Sequence, residues 1–218
     1  MKAVSRANGW AGRAIVPLLI VLTAYPPSRL TAQVSLRTAL GARASSTLVH
    51  DSIAGEGVDV RPPLAVALAL EVRMPLHGAW LAEAGIDVSV GRISRRDTSG
   101  TTDLGGLSSV AFGVALVHGL PAGLSARAGI AGLRYLPGAK TGIFRDGAPA
   151  VAALGSLAVR WAPPTTSAIG RRRLGLELRY DVHGFMSPAL RHTGFDQSRP
   201  VHRIALLVTA EQPIGAAR

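Results

Sequence analysis

The chain has 218 residues, enough for one domain with a short tail. It contains no cysteine, which excludes a disulfide framework, thiolate metal sites and cysteine nucleophiles. Lysine and arginine number 24 against 13 acids, a formal net charge of +11, and 25 glycines with 14 prolines favour repeated strands and turns over long helices.

The first segment reads as an export address. Lys2, Arg6 and Arg13 make a basic start, AIVPLLIVLTA (14–24) is apolar, and YPPSRLTAQ (25–33) follows. These are the three regions of a secretory signal peptide. The apolar run of 14–24 falls well short of the roughly 20 residues that a membrane-spanning helix needs. A signal peptide is therefore expected over 1–32, with cleavage after Ala32 or Gln33. The other reading is a buried core helix, against which the basic flank and the small-residue exit argue. Four basic residues and no acid lie in the segment, so the remainder has 20 basic and 13 acidic residues, a net charge of +7. Its basic residues are scattered, with only Arg171, Arg172 and Arg173 in a row. For an exported chain, anionic lipid headgroups or lipopolysaccharide are the expected partners, and nucleic acid is not.

After residue 33 the hydrophobic period is two, the period of a strand. VSLRTALGARA (34–44) alternates Leu36, Leu40 and Ala42 with Arg37, Gly41 and Arg43. LAVALALEVRM (64–74) sets Leu64, Val66, Leu68, Leu70 and Val72 against Glu71 and Arg73. WLAEAGIDVSVGR (80–92) sets Trp80, Ile86, Val88 and Val90 against Glu83, Asp87 and Ser89. SVAFGVALVH (109–118), LSARAGIAG (124–132) and VAALGSLAVRW (151–161) repeat the pattern, the last two with Arg127 and Arg160 on the small-residue face. LGLELRYDVHGF (174–185) places Leu174, Leu176, Leu178, Tyr180 and Val182 opposite Glu177, Arg179, Asp181 and His183. VHRIALLVTAE (201–211) closes the set, with Ile204, Leu206 and Val208 opposite Arg203, Ala205 and Thr209. Leu154 and Leu207 break the polar parity.

Eight strands of this length suit tilted crossings of a hydrocarbon layer. Segments 45–63, 93–106, 136–150 and 184–200 are long connections, 75–79 and 119–123 are tight, and 162–172 is intermediate. Long loops at one end and short turns at the other are the rhythm of an outer-membrane barrel. By parity the interior receives Glu71, Glu83, Asp87, Glu177 and Asp181 together with Arg37, Arg43, Arg73, Arg127, Arg160, Arg179 and Arg203. An eight-stranded barrel is just wide enough for side chains to fill it. Arginine suits such a filling, because its planar fork bridges two carboxylates. The expected fold is all-β, an eight-stranded antiparallel up-and-down transmembrane β-barrel over 33–212, with a short tail over 213–218. The competing fold is a soluble calyx with the apolar parity turned inward.

These features resemble the small outer-membrane barrels of the OmpA/OmpX type. The resemblance implies a bacterial outer-membrane location, a monomer, and the barrel assembly machinery as a partner during biogenesis. The chain ends TAEQPIGAAR, without the strand-terminal aromatic common in such barrels, and aromatics are only 5% of it.

The search for chemistry yields little. His183, His192 and His202 with Asp181 and Asp196 gather near the fourth long loop, yet their spacing matches no compact metal motif. His50, Asp51 and Ser52 are adjacent in sequence, whereas a catalytic triad is assembled by geometry across a fold. PGAKTG (137–142) lacks the order of a phosphate loop. Some barrels of this shape modify lipid A, which would need a histidine, a serine and an acid at the lipid-facing rim. His118 and His202 fall on outward parity at opposite rims, as does Ser108 on its strand. No catalytic residue, metal ligand or cofactor is assigned. The expected role is structural or surface interaction with a plugged, salt-bridged lumen; the alternatives are a lipid-modifying enzyme or a narrow channel for small molecules.

Overall fold

The computed structural model describes residues 34–53, 56–140, 142–163, 173–195 and 197–214, with side chains left out at 52–57. The expected signal peptide, most of the 162–172 connection, Asp196 and the last four residues lie outside them. Ten strands form among the described residues: β1 (Ser35–Ser45), β2 (Val49–Ile53), β3 (Glu56–Arg61), β4 (Ala65–Pro75), β5 (Trp80–Asp97), β6 (Gly100–Gly119), β7 (Leu124–Pro137), β8 (Ala152–Trp161), β9 (Arg173–Phe185) and β10 (Arg199–Pro213). A short helix, α1 (Pro188–His192), follows β9.

Eight of the strands close into a ring in the order β1, β4, β5, β6, β7, β8, β9, β10, each antiparallel to its neighbours. The ring is sealed by β1 against β10, from Ser35 opposite Pro213 to Ser45 opposite Arg203. Ile214 N–H continues this seam, donating to Val34 O at 2.7 Å. Gly41 sits on the seam for a steric reason. A Cβ there would lie 2.0 Å from the Leu206 carbonyl oxygen.

The eight expected strands are the eight of the ring. On β9, Leu176 and Leu178 are 44% and 55% exposed. Between and beside them, Glu177 and Arg179 are 0% and 3% exposed. The same inversion runs round the wall, through Leu68 on β4, Phe112 on β6, Ile130 on β7, Leu157 on β8 and Leu206 on β10. A soluble calyx requires the opposite arrangement, so that alternative is set aside. From Leu64 to Met74 the outward apolar row covers roughly 25 Å of height, at about 3.3 Å per residue and a tilt of about 40°. That matches the apolar band of a membrane barrel.

The connections differ from expectation in two places. The segment 93–106 is mostly strand: β5 and β6 run past the belt and turn tightly, with Asp97 opposite Gly100. The segment 45–63 contains the hairpin β2–β3, which joins the extended part of β5 through Asp59–Arg96, Val60–Arg95 and Arg61–Ser94. In both places neighbouring strand edges supply partners for the backbone groups.

Candidate functional site

The barrel interior is the site that the fold builds. All twelve charged residues assigned to the lumen by parity are buried or nearly so, and all but Arg203 form salt bridges. Glu71 and Glu177 each accept from Arg37, Arg160 and Arg179. Arg160 reaches Glu83 with two nitrogens at 2.6 and 3.0 Å, and Arg127 Nε donates to the same carboxylate at 2.6 Å. Arg73 joins Glu83 at 3.0 Å to Glu211 at 2.6 Å, and Ser35 Oγ also donates to Glu211 at 2.6 Å. Nearer the long-loop end, Arg43 grips Asp87 with two nitrogens at 2.5 and 2.8 Å and stands 3.6 Å from Asp181. Alternation put these groups on one face, and closure of the ring made them neighbours. Glu71, Glu83, Asp87 and Glu177 each meet two or more guanidinium groups, which offsets the desolvation of their charge.

Glu211 escaped the sequence reading although it shares the parity of Arg203 and Thr209 on β10. A second omission is larger. Above the ionic layer, toward the long loops, lies an apolar cluster of Leu48, Val60, Ile93, Leu133, Tyr135, Phe144, Leu154, Phe185 and Val201. Phe185 meets Tyr135 and Phe144 edge to face, with centroids 5.5 and 6.1 Å apart. The signal for this layer was the break in parity at Leu154, which points inward into it. The other break, Leu207, packs inside against Ala39, Ala67, Ala69 and Ala205.

The histidines do not gather. His183 is inside the barrel, where its Nδ1 lies 3.0 Å from Gly184 O and its Nε2 lies 3.0 Å from Tyr135 Oη. With Nδ1–H donating to the carbonyl, Nε2 accepts from the tyrosine hydroxyl. His192 is exposed and 2.9 Å from Asp146. His202 faces outward, stacked on Tyr180 with its Nδ1 2.6 Å from the phenol oxygen, and its backbone N–H donates to Ser46 Oγ at 3.0 Å. His118 packs against Trp80 at the short-turn rim, with centroids 4.5 Å apart and the rings tilted by 44°. Ser108 stands opposite Val90 and Leu136, away from both outward histidines in register. His50 Nδ1 is 2.6 Å from Asp59 across the β2–β3 hairpin. Among the described residues no group of three or more histidines and acids could hold a metal ion.

At the exposed tip of β5–β6, Ser99 donates to Asp97 from its hydroxyl at 2.5 Å and its backbone N–H at 3.0 Å. These bonds, the hydroxyl first, hold the Asp97 carboxyl below the ordinary aspartate range. Asp103 is lowered in the same way by the Gly105 N–H and by Arg92.

A closed antiparallel ring with charge inside and an apolar belt outside defines the chain as an outer-membrane type of β-barrel. Solved structures agree in fold. The chain is similar to Neisserial surface protein A, with a TM-score of 0.53 and 7% identity over 83% of this chain and 97% of that one. It is similar to the outer membrane protein AlkL, solved in lipid bilayers, with a TM-score of 0.51 and 12% identity over 89% and 98% of the two chains. A third likeness is to the outer membrane protein OprG from Pseudomonas aeruginosa, at a TM-score of 0.50 and 9% identity, covering 85% of this chain and 97% of that one. No family model and no curated protein matches the sequence significantly.

Proposed function

We propose that this protein is a non-enzymatic barrel of the bacterial outer membrane with a closed lumen, presenting its long-loop end to partners at the cell surface. The observation that carries the reading is the double filling of the interior: a paired ionic layer, and above it an apolar layer. A general porin leaves an aqueous channel, whereas here the side chains occupy that space. Loops on a rigid scaffold are the usual seat of recognition. Here β2–β3, the β5–β6 extension and α1 give the loop end ordered surfaces.

The apolar belt supports contact with acyl chains, and lipopolysaccharide headgroups would meet exposed Arg92 and Arg134 on the outer wall near the loops. The barrel acts as a monomer, since its lateral face is committed to lipid, and it enters the membrane through the barrel assembly machinery. Against catalysis stand the surroundings of His118 and His202, whose described contacts are aromatic rings and, for His202, a backbone bond to Ser46.

Two measurements test the proposal. The protein should stay with carbonate-washed membranes, and release into the soluble periplasmic fraction would reject the location. In planar bilayers the pure protein should show no large, steady conductance, and such a conductance would reject the closed lumen.

A further inference from the structure

The ionic layer is not electrically balanced throughout. In its lower part, toward the short turns, Arg37, Arg73, Arg127 and Arg160 meet Glu71, Glu83, Glu177 and Glu211, charge for charge. The upper part adds three arginines, Arg43, Arg179 and Arg203, but only two acids, Asp87 and Asp181, and Arg179 reaches down to Glu71 and Glu177 as well as to Asp87.

Arg203 is the unmatched member. It is 2% exposed, forms no salt bridge among the described residues, and donates through Nη2 only to the hydroxyls of Ser89 and Ser109 at 3.3 and 3.1 Å. Asp181 stands opposite it in the β9–β10 register, yet the aspartate leans toward Arg43 and its Oδ1 has no hydrogen-bond partner among the described residues. Beside these groups lies a cavity of about 30 Å³ whose lining includes the arginines Arg127, Arg179 and Arg203 and the acids Glu71, Asp87 and Asp181. At about 10–15 Å³ for each water-sized occupant, it holds two. A buried charge without a counter-charge is expensive, and an ion of opposite sign removes most of that cost.

We propose that the cavity binds one small monovalent anion of chloride size, held by the free face of Arg203. A single water shares the cavity and donates to Asp181 Oδ1. The anion and the six acids together balance the seven arginines of the layer. A larger oxyanion does not fit the volume, and a cation finds Glu71 and Asp87 already paired with arginines, whereas Arg203 has no salt bridge among the described residues.

The test refolds the full barrel into lipid vesicles in sodium chloride, sodium bromide or sodium gluconate at equal ionic strength, and crystallises it from bromide. Bromide should give an anomalous peak within hydrogen-bond distance of the Arg203 guanidinium. At ten times its dissociation constant, chloride should raise the folding constant about elevenfold over gluconate. Arg203→Leu should lose both the peak and the dependence on chloride. If that variant fails to fold, the unmutated protein decides the matter. Absence of bromide from the cavity, or equal stability in chloride and gluconate, would overturn the proposal and leave water as the sole occupant. Neither outcome depends on whether the barrel conducts.

Discussion

Glu177 is the residue whose removal the ionic layer should tolerate least. It is fully buried on β9 and accepts from Arg37, Arg160 and Arg179. Glu177→Gln keeps the shape and deletes one negative charge. Afterwards Arg37 retains Glu71, Arg160 retains Glu71 and Glu83, and Arg179 retains Glu71 and Asp87. No arginine is stranded, so the loss should fall near the lower end of the about 3–5 kcal/mol found when one partner of a buried ion pair is removed. An exposed pair would cost at most about 1 kcal/mol. Urea unfolding from lipid vesicles, followed by the fluorescence of the lipid-facing Trp80 and Trp161, measures the difference. Adding Arg160→Gln restores the charge balance, and the cycle should return a coupling of about 0.5–3 kcal/mol. A loss below about 1 kcal/mol with purely additive effects would refute the argument, because it would mean that the lumen charges behave as if solvated.

Three other outcomes are expected. Leu178→Arg, at the middle of the outward row on β9, should destabilise the barrel by about 2–4 kcal/mol, and Leu174→Arg at the end of that row by about 0–1 kcal/mol. Equal costs in the same unfolding assay would argue against a membrane belt at this height. Gly41→Ala should weaken the β1–β10 seam by about 1–3 kcal/mol, as overpacking does, because its new methyl meets the Leu206 carbonyl; an unchanged unfolding midpoint would contradict the close approach. In a carboxylate NMR titration Asp97 should remain ionised below the ordinary aspartate pKa, so its contribution to tip stability is present above that value and is lost only as pH falls further through its own lower one. A midpoint at or above the ordinary value would remove the role given to Ser99.

The wall of this barrel was legible in the sequence because its cause is local. Successive residues on a strand face opposite sides, and lipid and lumen demand opposite chemistry, so Leu176, Glu177, Leu178 and Arg179 declare both the strand and its surroundings. Parity also named the arginines and acids of the interior before any neighbour was known. It could not pair them. Arg37 meets Glu177 across 140 residues of chain, and that meeting depends on how the strands stagger as the ring closes. The apolar layer was hidden for the same reason: Tyr135, Phe185 and Val201 lie on the inward parity of three different strands, Leu48 and Phe144 lie outside the strands of the ring, and only closure brings the five together. Alternation is a property of each strand alone, whereas the filling of the lumen, the scattering of the histidines and the unpaired charge of Arg203 arise only when the closed ring brings all eight inner faces within side-chain reach.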